Sequence, residues 1–246
     1  MQCLFCSKPT TEQCGEYHVL PEALAQNRIV LPRGAVCDPC NHYIGRRLDT
    51  NLVRYPLIAF AIQFLGTAGK SGKPRHTVGA VVRQAQPETF KLSLTLGEPI
   101  PLVTPNGKRR YQAHLGTEPA FEFLRFRRSL HCMALGVVAH VEGVEKAREL
   151  RYATVRSYIR SPVPPRLAWP YAQLERTGRS IPRILAAVRA AELPGEVIVL
   201  QLFQAVYAVD LVNSGSLEMW AMKNDARLVL PGDPVPPPVT VTFGEK

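Results

Sequence analysis

The chain has 246 residues, 46% hydrophobic and 20% charged, with a formal net charge of +10. This composition excludes wholesale disorder, and the length suits one large domain or two modest ones. No apolar run is long enough to span a bilayer, and Cys3 and Cys6 stand where a secretory signal would need a basic start, so the expected location is the cytoplasm with no membrane partner.

In chain order, Cys3-Leu4-Phe5-Cys6 opens the protein. Tyr17 to Leu20 and Arg28 to Leu31 read as short strands ahead of the turn Pro32-Arg33-Gly34. Asp38 is expected to cap a helix that begins at Pro39 and runs through Cys40, Ile44 and Leu48. A further apolar segment runs from Tyr55 to Leu65, then a Gly- and Lys-rich linker follows. Its Gly-Lys-Ser is no phosphate loop, because Phe64 stands where the motif needs its first Gly.

His76 to Val82, Thr89 to Leu96 and Pro99 to Thr104 alternate as short strands, with a turn at Pro105 to Lys108. Glu118 to Glu142 carries Phe121, Leu124, Leu130, Met133, Ala134, Val137 and Val141 near one helical face. A second helix is expected from Glu145 to Ile159, a buried strand from Val197 to Ala208, and a Pro-rich tail from Leu228 onward.

Charge is unevenly spread. Residues 1–100 carry a net +4, residues 101–190 a net +10, and residues 191–246 a net −4. A localised excess of this kind suits a polyanion, with DNA first among nucleic acids, and points to Arg109, Arg110, Arg125, Arg127 and Arg128 as phosphate-contacting residues. The plain alternative for each arginine is a solvated helix face.

Two C-x-x-C pairs, Cys3/Cys6 and Cys37/Cys40, have the spacing of a tetrahedral zinc site, because each short turn lets both sulfurs reach one ion. A four-thiolate site is coordinatively closed, so this Zn²⁺ is expected to be structural. Cys132 reads as a small buried hydrophobe and Cys14 as a loop thiol. The zinc joins a strand bearing His18 to a helix start bearing Asn41.

The pattern Cys-x-x-Cys, then His18-Val19-Leu20-Pro21-Glu22-Ala23-Leu24, then Cys37-Asp38-Pro39-Cys40-Asn41 and Ile44-Gly45, resembles the HNH endonucleases of the ββα-metal fold. It is closest to a bacterial branch with an E-H-x-x-P-E-A-L strand and a C-x-x-C-N helix start. The likeness covers about the first fifty residues and continues weakly into Arg156-Ser157-Tyr158-Ile159-Arg160.

The resemblance implies His18 as general base, a single catalytic Mg²⁺ or Mn²⁺, and Asn41 as a metal-binding or orienting residue. Asp49 matches a carboxylate often found one or two turns further on. The branch's acidic or His residue before the base is replaced here by Tyr17. On a strand, Glu16 shares a face with His18 while Tyr17 points away, so Glu16 is the substitute ligand, with His42 as a further candidate.

The expectation is therefore an α+β protein. A small zinc-stapled ββα-metal module (1–66) precedes a mixed helical and β region (75–246) that holds a basic helical segment (101–190). The expected function is metal-dependent hydrolysis of phosphodiester bonds in DNA. The alternative is a non-catalytic zinc module that binds nucleic acid or a protein partner. The sequence leaves the oligomeric state open.

Overall fold

Among the described residues of the computed structural model, every strand pairing is antiparallel. The structure describes residues 1–22, 24, 29–55, 58, 80–82, 92–94, 100–103, 109–115, 122–161, 169–175, 186–189, 196–202, 205–230, 233 and 239–244. The fold is α+β, with the HNH-like signature confined to its N-terminal part.

Strands β1 (Tyr17–His18) and β2 (Val30–Leu31) pair with Tyr17 opposite Leu31 and His18 opposite Val30. Helix α1 (Asp38–Tyr43) follows the second knuckle and runs without a break through a π-helical stretch, Ile44–Asp49, into α2 (Thr50–Leu52). Cys37 is the N-cap rather than Asp38. The Asp38 carboxylate instead accepts the Gly15 N–H at 2.9 Å, so it ties the loop before β1 to the helix start.

The π-helical stretch is absent from the expected pattern. It is marked by the Thr50 N–H reaching the Gly45 carbonyl, five residues back. Such a register change leaves carbonyls without a partner inside the helix. The Leu48 carbonyl takes the Ser129 hydroxyl from another helix at 2.9 Å.

That other helix is α3 (Phe123–Glu142), which starts later than expected. Its residues from Phe126 to Ala139 are buried throughout, because it packs on the N-terminal module on one side and on a sheet on the other. Phe126 shows both contacts: its ring stacks on Tyr55 at 4.4 Å and meets Tyr207 edge-on at 5.7 Å. One core cluster therefore includes Leu4, Tyr17, Ile44, Leu48, Leu130, Tyr158 and Tyr207 together.

The helix expected over Glu145 to Ile159 is divided into α4 (Val144–Ala147), a 3-10 turn (Leu150–Tyr152) and α5 (Ala153–Arg160). Strands β7 (Tyr171–Glu175), β8 (Ala186–Arg189), β9 (Val197–Leu202), β10 (Ala205–Asp210) and β11 (Arg227–Val229) form a sheet in the order β11-β7-β10-β9-β8. The single buried strand expected from Val197 to Ala208 is thus two strands of a hairpin, both apolar because both lie within the sheet. Helix α6 (Ser216–Lys223) covers part of it.

Strands β3 (Ala80–Val82) and β4 (Leu92–Leu94) fall within two of the expected strand segments and pair antiparallel with each other. Strands β5 (Ile100–Val103), β6 (Arg109–Leu115) and β12 (Val239–Gly244) form a three-stranded sheet. The tail from Leu228 onward accordingly holds two β segments, and the basic region 101–190 is strand and helix rather than helix alone. The 66–74 linker, the turn at 105–108 and most of the 55–65 segment lie outside the described residues. Among the described residues, no helix is long and apolar enough to cross a membrane.

Candidate active site and metal centre

The four cysteine sulfurs lie within 4.8 Å of one another. Zinc–sulfur bonds of about 2.3 Å in a tetrahedron set sulfurs about 3.8 Å apart, so the cluster has the size and donor set of a zinc site. Cys6 and Cys37 sulfurs are 3.6 Å apart, and the Cys37 N–H points at the Cys3 sulfur at 3.4 Å. A hydrogen bond from Cys40 pulls the Cys3 thiol down to about 4, while the same pairing pushes Cys40 up. A cluster that already favours one thiolate is chemically suited to a cation.

The knuckles are locked by main-chain bonds: Leu4 N–H donates to the Ala35 carbonyl and Cys3 N–H to the Lys8 carbonyl, both at 2.8 Å. Gly34, at φ +79°, makes the turn before the second pair, where a Cβ would meet the Thr11 carbonyl oxygen at 2.8 Å.

Two hydrogen bonds then align strand and helix. Gly15 N–H reaches Asp38, as above, and the Asn41 side-chain amide donates to the Glu16 carbonyl at 3.0 Å. The second bond ties Asn41 to the backbone two residues before His18. His18 is half-buried, and its Nδ1 is sealed from solvent with no hydrogen-bond partner.

Tyr17 points the other way, as strand alternation requires. It is 3% exposed, packs edge-on against Phe5 at 5.5 Å, and has its hydroxyl 3.2 Å from the Cys132 sulfur. Burial pushes both Tyr17 and Cys132 above their ordinary values, so neither serves as an acid or base here. Cys132 is the buried apolar filler its neighbours suggested. Cys14 is only partly buried, in the loop before β1.

Glu16 is exposed, and its carboxylate lies 3.8 Å from Arg33. A surface pair of this kind holds about 0–1 kcal/mol, too little to stop the carboxylate serving elsewhere. His42 is exposed on the next residue of the helix after Asn41. Gly45 and Asp49 follow Asn41 at four-residue intervals, and a Cβ at Gly45 would meet nothing within 4 Å. Burial raises the Asp49 carboxyl to about 7. Among the described residues, the four cysteines are the group of three or more Cys, His, Asp or Glu whose ligand atoms converge, so the carboxylates and imidazoles do not form a second closed cage.

These features coincide with a family match. Residues 3–57 match the model of a family described as HNH endonuclease. The N-terminal module is an HNH domain. No curated protein and no solved structure matches the chain. The HNH match ends at residue 57, before the weaker likeness at Arg156 to Arg160.

The arginines expected to meet phosphate are placed differently from one another. Arg109 and Arg110 stand on strand β6. Arg125 is paired with Glu122 at 2.8 Å. Arg127 and Arg128 are 4% and 3% exposed, which corrects their expected place on a surface. Arg127 donates to the Leu230 carbonyl and lies over the Phe123 ring at 4.6 Å. Arg128 donates to the Ile159 carbonyl and to the Tyr43 hydroxyl, joining α5 to the HNH helix. Their aliphatic stems fit the core side of α3 and their heads find carbonyls, so charge in a sequence window did not predict a surface.

Proposed function

We propose that the protein is a metal-dependent endonuclease acting on DNA, with His18 as general base and the HNH module as its catalytic part. The observation that supports this reading is the hydrogen bond from the Asn41 amide to the Glu16 carbonyl, two residues before His18, within the segment that matches the HNH family. An imidazole titrates near neutrality and suits removal of a proton from water. The water oxygen then bonds to phosphorus as the bond to the 3′-oxygen breaks, and a proton passes to that leaving oxygen. His18 is half-buried, which limits its hydration while leaving a path for substrate.

The oxygen donors of the two residues this bond joins, the Asn41 amide and the Glu16 carboxylate, fit a hard cation that keeps most of its waters and takes substrate phosphate as a ligand. His42 adds a nitrogen donor suited to Mn²⁺. Bound there, a single Mg²⁺ or Mn²⁺ supplies charge neutralisation at the phosphate and the leaving oxygen. Four of the six cysteines gather as thiols in one metal-sized cluster, which fits a reducing compartment and a cytoplasmic protein.

The test is nicking of supercoiled plasmid by wild-type and His18→Ala protein, with Mg²⁺, Mn²⁺ or neither. Metal-dependent nicking that disappears in the variant, with zinc content and melting unchanged, supports the reading. A second reading, a zinc module that only binds, draws on Tyr17: the position that carries an acidic or His ligand in similar HNH proteins is here buried in the core. Folded, zinc-loaded wild type that never nicks favours that one.

A further inference from the structure

The HNH helix is flanked by cations that pair with no carboxylate among the described residues. Ion pairs among the described residues use Arg33, Arg125, Lys146, Arg148 and Arg151, and none uses Arg46, Arg47, Arg128 or Arg160. Arg46 and Arg47 are exposed. The Tyr43 ring lies between two guanidinium groups, 5.6 Å from Arg128 and 4.6 Å from Arg160.

Arg128 donates through Nε and Nη2 to the Ile159 carbonyl and through Nη2 to the Tyr43 hydroxyl, which holds the ring. Arg160 is half-buried, and its Nη1 is sealed from solvent with no hydrogen-bond partner among the described residues. A guanidinium nitrogen that gives up water without gaining an acceptor is costly, and gathered like charges add repulsion. A bound polyanion offsets both.

We propose that Tyr43 and Arg160, with Arg46 and Arg47, form a track for a nucleic-acid phosphate backbone, leading from Asn41 across the HNH helix to the end of α5. Helix geometry gives the path. His42 and Arg46 stand roughly a quarter turn around from Asn41, and Tyr43 and Arg47 roughly half a turn. The solvent side of the helix is thus basic from Asn41 to the Arg160 contact. Arg160 lies outside the family match, so the second half of the chain contributes directly to holding substrate. Guanidinium stacked on an aromatic face keeps an N–H edge in fixed orientation for phosphate oxygens. The track rests on the endonuclease reading for its substrate, though not for its charge.

The experiment measures binding of a short labelled DNA duplex to His18→Ala protein over a range of salt without divalent metal, so that cleavage plays no part. Arg160→Gln and the double variant Arg46→Gln/Arg47→Gln are each compared with the exposed control Lys8→Gln. Each lost phosphate contact is expected to weaken binding and lower the slope of log affinity against log salt by about 0.9, with the control unchanged. Arg160→Lys, which keeps the charge but not the planar edge, is expected to recover part of the slope.

Unchanged affinity and slope in both track variants overturn the proposal, as does absence of DNA binding by the His18→Ala parent. If Arg160→Gln melts early, the exposed Arg46/Arg47 pair decides. A wild type that binds through these residues but never nicks removes the endonuclease reading and keeps the track. Nicking with a slope indifferent to both variants does the reverse.

Discussion

Asn51 and Glu122, seventy-one residues apart, are joined like two strands of a sheet: the Asn51 amide donates to the Glu122 carbonyl at 2.8 Å, and the Glu122 N–H returns to the Asn51 side-chain oxygen at 2.8 Å. Glu122 is the N-cap of α3, and Asn51 ends the HNH helix at 2% exposure. The pair therefore fixes where the helix of the second half begins relative to the HNH module. Asn51→Ala leaves the part-buried Glu122 N–H and carbonyl without these partners, at up to about 1–3 kcal/mol, while keeping the chain's shape. A thermal melt is expected to fall by roughly 2–12 °C for a chain of this size. An unchanged melting temperature would show that water replaces the side chain without loss.

Gly136 tests whether α3 also sets the strand that bears His18. A Cβ at this position would lie 2.9 Å from Val19 Cγ1, and Val19 adjoins His18. Alanine in a helix interior gains about 1 kcal/mol over glycine, but overpacking costs about 1–3 kcal/mol, so the clash wins. Gly136→Ala is expected to lower both stability and nicking. Gly45→Ala, where the added Cβ meets nothing within 4 Å, is expected to leave stability equal or better. If Gly136→Ala melts above wild type, Val19 is free to rotate away.

Zinc should be stoichiometric and needed for folding. Elemental analysis is expected to find one Zn²⁺ per chain, lost in Cys37→Ser. Because Cys3, Cys40, Leu130 and Tyr158 share one core cluster, stripping the metal with a strong chelator should loosen α3 as well as the knuckles. Hydrogen exchange read along α3 before and after chelation decides this. Protection retained from Phe126 to Ala139 would mean that the second half folds without the metal.

Two buried groups pull stability in opposite directions with pH. Burial holds His131 down at about 4, with its Nδ1 against the Arg127 carbonyl at 2.9 Å. Between about 6.5 and 4 the unfolded chain takes up a proton that the folded one refuses, so stability falls as pH falls through that window, by about 3 kcal/mol in full. Asp49, raised to about 7, keeps its proton in the folded state where the unfolded chain has lost it, so stability falls as pH rises from about 4 to 7. His131→Phe should flatten the acid side of a stability–pH curve, and Asp49→Asn should raise the melting temperature at pH 8. Parallel curves for variants and wild type would remove both assignments.

Much of the site was legible in the sequence because its parts are local. The spacing of Cys3, Cys6, Cys37 and Cys40 fixes a zinc-sized cluster whatever surrounds it, and the two-residue period of a strand turns Tyr17 inward when Glu16 and His18 face out. Asn41 beside Cys40 follows from the same knuckle. The α+β class was equally readable from short alternating segments around one long amphipathic helix.

Tertiary packing decided the rest. The arginines of α3 look alike in sequence, yet Arg125 meets Glu122 at the helix start while Arg127 and Arg128 turn into the core toward the carbonyls of Leu230 and Ile159. Those acceptors come from segments that pattern reading placed in a Pro-rich tail and at the end of a separate helix. The same holds for Tyr43 and Arg160, for Gly136 and Val19, and for Asn51 and Glu122. A sequence states which residues can carry a charge, a ring or a hydrogen bond. Which of them meet depends on how α3 seats the HNH module against the sheet, because burial and desolvation belong to the packed chain and not to the residue.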